Sequence, residues 1–310
     1  MAAVAADWTH IMIRPWTVLP FLVLPTVSPV VTRAQTPTPL EVVSIAPGLA
    51  MLVGSGGNIG VSYGPDGVFL VDDQYAPLTE QVRAAVAGLT PGRIRFVLNT
   101  HWHGDHTGGN ERMGEAGALI VAHDNVRRRM STEQFNQLLN STTPASPPGA
   151  LPVVTFSDGV TFHLNGATVE AVHVAPAHTD GDAVVWFREA NVVHLGDLFF
   201  NGLYPFIDLD SGGSVDGVIA AVEEALARSD GGTRIIPGHG PLASRDELGR
   251  YRDMLVTVRD RVQRLIEEGK TLEQIVAARP LADYDTGWSW SFISGERFLA
   301  ILHRGLSTRR

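Results

Sequence analysis

Four side chains able to hold a metal ion fall within six consecutive positions, His101, His103, Asp105 and His106, directly after the apolar run Ile94–Leu98. A strand that ends in such a turn can aim several imidazoles and carboxylates at one point, and these are the donors a borderline cation such as zinc takes from a protein. Three further candidates, His178, Asp197 and His239, each follow an apolar run in the same way. Whatever fold the chain adopts must deliver the ends of four strands to one place. The set reads as a metal-dependent hydrolase with two ions. Without a metal, so many buried polar groups in one turn would cost desolvation with no compensation.

The apolar pattern indicates how such ends could be brought together. From residue 40 the chain alternates short apolar runs, 40–45, 49–53, 59–63 and 68–71, with turns at Pro47-Gly48, 54–57 and 64–67. That is a series of hairpins in a mostly antiparallel sheet. Helical spacing follows over 78–88, then the strand 94–98, a short helix near 110–116 and a strand at 119–121. A proline-rich stretch, 141–152, reads as a surface linker, with a lid as the other reading. The outline then repeats, with strands at 153–156, 160–164, 168–174, 183–187 and 192–195. A helix over 214–228 with Ser214 as its cap and a strand at 233–236 complete it. Candidate helices at 245–268, 272–278 and 297–306 close the chain. Two halves of β then α predict an α/β protein with two packed sheets and helices outside, a four-layer αββα sandwich with C-terminal helices. One domain over 35–310 is expected, its helical addition beginning at about residue 244.

Composition excludes several functions. The chain has 310 residues, 44 % hydrophobic and 18 % charged, and a net charge of −9. Its 24 basic residues form no stripe beyond Arg127-Arg128-Arg129, which argues against nucleic acid as a partner and leaves a small-molecule substrate. There is no cysteine, so disulfides, thiolate zinc sites and a thiol nucleophile are all excluded. Residues 1–34 read as an export signal, with Arg14 before the apolar stretch 16–31 and small residues near Ala34. Pro20, Pro25 and Pro29 make that stretch a poor membrane-spanning helix, so no stable anchor is expected after cleavage. A secreted or periplasmic protein is expected.

The order His101-x-His103-x-Asp105-His106, His178, Asp197 and Gly238-His239-Gly240 resembles the metallo-β-lactamase-fold superfamily, and Asp72, closing an early strand, matches its first motif. The phrases at 178–182 and 194–200 look like an exported branch close to the class B β-lactamases. The resemblance implies that His101, His103 and His178 hold one zinc, that Asp105, His106 and His239 hold a second, and that Asp197 bridges both. Asp105 would also orient the attacking hydroxide, and Asp72 would fix a ligand histidine from behind. Two cations ~3.5–4 Å apart lower the pKa of a shared water from ~16 to near neutrality. Iron or manganese would also fit a donor set without thiolate.

Departures from the lactamase pattern matter. Lactamases with a cysteine ligand have thiolate where this chain has Asp197, and a lysine soon after it, whereas 198–205 contains no cation. That argues against efficient β-lactam hydrolysis, since a lost charge-assisted bond costs ~1.5–3 kcal/mol. A thioester hydrolase of the hydroxyacylglutathione type is one alternative, with Arg245, Arg250, Arg252 and Lys270 as candidate cations. A di-iron redox enzyme or a non-catalytic metal-binding protein are the others. Trp288, Trp290 and Phe292 are expected to pack the last helix against the sandwich. His123, His163, His173, His194 and His303 are expected to be ordinary polar residues, and Asp180 and Asp182 turn-formers beside His178.

Overall fold

The structure, a computed structural model, describes residues 40–174 and 176–308; the expected leader at 1–34 lies outside them. Strands β1 (Glu41–Ala46), β2 (Leu49–Val53), β3 (Ile59–Gly64) and β4 (Gly67–Val71) pair antiparallel in sequence order. Gly48 makes the first turn at φ 73°, a left-handed conformation that glycine adopts without a Cβ penalty. Helix α1 (Thr79–Leu89) buries Val82 and Val86 and returns the chain to β5 (Ile94–Leu98), which lies parallel to β4. Short helices α2 (Gly104–Thr107) and α3 (Asn110–Glu115) precede β6 (Leu119–His123). Helix α4 (Asp124–Met130) and a small hairpin of β7 (Gln134–Asn136) and β8 (Ser141–Thr143) follow, then β9 (Val154–Phe156). The first sheet runs β1-β2-β3-β4-β5-β6-β9. The 141–152 stretch is therefore partly ordered structure, its first residues being one arm of the hairpin.

The second sheet holds β10 (Gly159–Leu164), β11 (Ala167–His173), β12 (Ala183–Phe187), β13 (Val192–His194), β14 (Arg234–Ile236) and β15 (Ala243–Ser244) in that order. Helix α5 (Val215–Arg228) crosses between β13 and β14, which are parallel, and Ser214 caps it by accepting from Gly217 N. Helices α6 (Arg245–Glu267), α7 (Leu272–Ala278), α8 (Asp285–Trp288) and α9 (Gly295–Ser307) end the chain. Ser244 and Glu247 form a capping box at the start of α6, satisfying two otherwise orphaned backbone N–H groups.

Three apolar layers separate these elements. Met51, Phe69, Leu98 and Val121 of the first sheet pack with Val169, Val185 and Ile236 of the second. On the outer face of the first sheet, Ile59, Leu70 and Val97 meet Val82 of α1 and Met113 of α3. On the outer face of the second, Val184, Val193 and Ile235 meet Val222 of α5, Met254 and Val258 of α6 and Phe298 of α9. This is the expected αββα sandwich. Each buried Val or Leu contributes ~1.5–3 kcal/mol relative to exposure, so a charge at a position such as Val185 would break the inter-sheet layer. Among the described residues no helix is long and apolar enough to cross a membrane.

Candidate metal centre and cavity

The C-terminal ends of β4, β5, β11, β13 and β14 lead to one edge of the sandwich. Asp72 follows β4, the 101–106 turn follows β5, His178 follows β11, Asp197 follows β13 and His239 follows β14. The ligand turn is itself helical: His103 is the residue before α2, which carries Asp105 and His106. The structure gathers all seven predicted ligand side chains into two groups. His101, His103, His178 and Asp197 offer donor atoms within 4.8 Å of one another, and so do Asp105, His106 and His239. Asp197 faces both. Its Oδ2 lies 3.6 Å from His178 Nε2 and 3.8 Å from His101 Nε2, while its Oδ1 lies 3.1 Å from His106 Nε2 and 3.5 Å from His239 Nε2. Asp105 Oδ2 lies 3.3 Å from His239 Nε2 and 3.6 Å from His106 Nε2.

The hydrogen bonds behind the imidazoles show what belongs between them. His178 Nδ1 donates to the Phe206 carbonyl at 2.8 Å, which leaves its Nε2 without a proton. His103 Nε2 donates to Asp208 Oδ2 at 3.0 Å, which turns its Nδ1 toward His178. His103 Nδ1 and His178 Nε2 face each other at 2.9 Å. Thr100 Oγ1 donates to Asp72 Oδ2 at 2.8 Å and so accepts from His101 Nδ1 at 3.0 Å; His106 Nδ1 donates to the same Asp72 oxygen at 2.8 Å. The inward Nε2 atoms of His101 and His178 are therefore acceptors, pointed at Asp197 Oδ2 from 3.8 and 3.6 Å. His101 Nε2, His106 Nε2 and Asp197 Oδ1 are buried without a hydrogen-bond partner, His106 and Asp197 being close but not aligned as a bond. Lone pairs converging in a dry site are what a cation satisfies, so the residues fit a metal in each group.

The charge balance agrees. Burial holds His101 well below the usual histidine range and His178 down to about 4. Burial opposes charge at His106 and His239 too, but there Asp197 and Asp105 outweigh it, pulling His106 well up and His239 to about 9. Asp105 stays ionised, its carboxyl held down to about 2 against burial by His106 and His239. Without a cation, protons take its place in the second group. Two glycines make room for this packing: a Cβ on Gly238 would sit 2.0 Å from Asp197 Oδ1, and one on Gly57 2.1 Å from His106 Cε1.

Several other polar residues picked out in the sequence support the turns around the site or stand apart from it. Asp182 accepts from His178 N and from Thr179 N and Oγ1, tying the turn that aims His178, and burial raises its carboxyl to about 7. Asp180 pairs with Arg129 at 2.7 Å. His194 bridges Asn58 O and Gly196 N, and stacked His123 and His173 lie outside both groups. Three contributors carried no sequence signal. Asp208 holds His103 from 105 residues away, Thr100 holds His101 and Asp72, and the Phe206 carbonyl holds His178.

Above the two groups opens a cavity of about 420 Å³. Trp290 and Phe292 line it, which corrects the expectation that they only pack α9; Trp288 does pack inward, its ring 6.1 Å from Tyr251. The β7–β8 hairpin also lines it, with Phe135 of β7 at the cavity. Asn136 of that hairpin donates to Asp208 Oδ1 at 3.0 Å, and Gln137 N donates to Asp210 Oδ2 at 2.9 Å.

The sequence profile of the metallo-β-lactamase superfamily matches residues 52–239. A hydroxyacylglutathione hydrolase from Methylococcus capsulatus is 31 % identical over 141 residues, 43 % of this chain and 47 % of that protein. An atrochrysone carboxyl ACP thioesterase from Aspergillus terreus is 35 % identical over 34 % of this chain and 26 % of its own length. The matches thus span less than half of both relatives. A metallo-β-lactamase type 2 from Bacillus cereus is 26 % identical over 61 % of this chain and 69 % of its own. Among solved structures, a metallo-β-lactamase from Pontibacter korlensis superposes with a TM-score of 0.59 at 19 % identity, covering 70 % of this chain and 98 % of that one. The sec-alkylsulfatase Pisa1 from Pseudomonas sp. superposes with a TM-score of 0.62 at 17 % identity, covering 86 % and 50 %. Both show the shared fold.

Proposed function

Because the chain belongs to the metallo-β-lactamase superfamily, we propose that it is a dinuclear zinc hydrolase that cleaves an ester, lactone or amide carbonyl. The observation that carries this reading is the convergence of the His101, His103, His178 and Asp197 donor atoms within 4.8 Å of one another, and of Asp105, His106 and His239 likewise, with Asp197 facing both groups. His101, His103 and His178 would hold one cation, Asp105, His106 and His239 the other, and Asp197 both. When bound, two such ions supply an activated water near neutral pH and stabilise developing oxyanion charge. Asp105 lines the cavity and remains ionised, so it can accept a hydrogen bond from the attacking water and orient it. Asp72, Asp208 and the Phe206 carbonyl keep the imidazoles in one tautomer, so no reorganisation is needed when substrate arrives. Export through the leader at 1–34 belongs to the same proposal.

A thioester hydrolase is the second reading, favoured by the carboxylate at Asp197 and by the two thioester-cleaving relatives. Glutathione carries two carboxylates, however, and among the described residues no lysine or arginine lines the cavity. The test is metal analysis of the purified protein with a panel of nitrocefin, a lactone, an aryl ester and an acyl thioester. Two zinc ions per chain and turnover of an ester or lactone are expected. Iron at both positions, or full zinc loading with no turnover across the panel, would overturn the reading.

A further inference from the structure

The aromatic lining of the cavity is continuous. Phe206 lies 5.7 Å from the His103 ring and 5.7 Å from Phe292. Phe292 lies 5.5 Å from Trp290, and Trp290 lies 6.0 Å from the His239 ring. These side chains form an arc from one donor group to the other, so a carbonyl held between the groups must pass its substituents along it. Phe135, 55 % exposed on the hairpin, adds a further apolar side chain to the lining. Among the described residues the cavity lining holds no lysine or arginine, and its carboxylates are Asp105 and Asp197 of the donor groups and Asp208, bonded to His103. The nearest cations are used elsewhere or lie outside. Arg304 is paired with Asp210 and Arg129 with Asp180, while Arg297 lies 5.9 Å from the Phe292 ring and donates to the Phe292 carbonyl without lining the cavity.

We propose that this cavity selects an uncharged carbonyl compound with a hydrophobic arm, and discriminates against one whose arm ends in a carboxylate. The inference rests on the hydrolase reading for its chemistry but not for its recognition. A carboxylate pressed against the arc loses water and finds no lysine or arginine among the described lining residues in return, whereas an alkyl chain gains ~0.8 kcal/mol for each buried CH₂. Trp290 is fixed in position to receive such an arm, because its Nε1 donates to the Tyr204 carbonyl at 2.9 Å and so holds the indole face toward the cavity.

Binding is measured first, with two ketones that cannot be hydrolysed, heptanophenone and 6-benzoylhexanoate, added to the metal-loaded protein and followed by tryptophan fluorescence. The neutral ketone is expected to bind at least tenfold more tightly. Phe292→Ala, at a partly exposed position, and Trp290→Phe should each shrink that ratio while far-ultraviolet circular dichroism is unchanged. Equal or tighter binding of the keto acid, or a ratio untouched by both substitutions, would overturn the proposal. Turnover is read separately on 4-nitrophenyl hexanoate and mono-4-nitrophenyl adipate, matched in leaving group and chain length. A ketone preference without hydrolysis of either ester would sink the hydrolase reading and leave the substrate class standing. Hydrolysis of both at equal kcat/KM would do the reverse.

Discussion

The two donor groups share Asp197 but are held in different ways. In the group of His101, His103 and His178, each imidazole is locked from behind by a hydrogen bond, and His101 and His178 are almost wholly buried. In the group of Asp105, His106 and His239, the hydrogen bond from behind is the one His106 makes to Asp72. Asp105 and His239 are partly exposed and line the cavity, and His239 is placed by stacking on Phe200, 5.1 Å away at 17°. One group is a rigid socket and the other can adjust. Preorganisation favours tight binding because little freedom is lost when the ion arrives. The socket should therefore fill first and release its ion last.

The contrast between the groups breaks most completely at Gly238. Gly238→Ala would place a Cβ 2.0 Å from Asp197 Oδ1, displacing the one carboxylate both groups need. Loss of both ions and of at least about a hundredfold in kcat/KM is expected, more than removal of a supporting partner costs. Ions retained at full stoichiometry in that variant would mean that Asp197 does not serve both groups. Asp208→Asn acts on the socket alone. It removes the charge behind His103, whose hydrogen bond holds the Asp208 carboxyl down to about 2 despite burial. Affinity for one ion should fall ~10–100-fold, as supporting partners typically contribute, with the other unchanged in a chelator titration. A loss spread equally over both would erase the distinction.

The third effect is pH. In the metal-free protein His239, raised to about 9, and His106, also raised, hold protons that a cation must displace, so affinity of the second group should rise at least tenfold per unit between pH 7 and pH 9. His178, lowered to about 4, has no proton to lose over that range, so affinity of the first group should stay nearly flat. Parallel slopes for both ions, read by calorimetry in buffers of different ionisation enthalpy, would count against this assignment of protons.

How far the sequence alone reaches follows the same physical division. The ligand positions are legible because each interrupts an apolar run with a residue type whose burial would otherwise be costly. Strands such as Ala183–Phe187 and the cap at Ser214 are legible because their signals are local. Asp208 and the Thr100 hydroxyl look like ordinary turn residues until the chain closes over 105 and 28 positions to bring them to His103 and Asp72. Trp290 and Phe292 belong to a tail whose local pattern speaks only of packing, and their place at the cavity depends on how α8 and α9 dock. The hairpin and α4 escaped because their apolar residues, Val126, Met130 and Phe135, are too few to show a period.

Asn136 ties the cavity wall to the same aspartate that aims His103, and Gln137 ties it to Asp210, which Arg304 anchors to the final helix. Substitutions in this hairpin cannot retune what enters the cavity without disturbing the support of an ion. For a lineage drifting toward new substrates, the wall and the socket are a single heritable trait, and divergence is easier through Trp290 and Phe292, whose hydrogen bonds run to the Tyr204 carbonyl and from Arg297 rather than to the metal donors or Asp208.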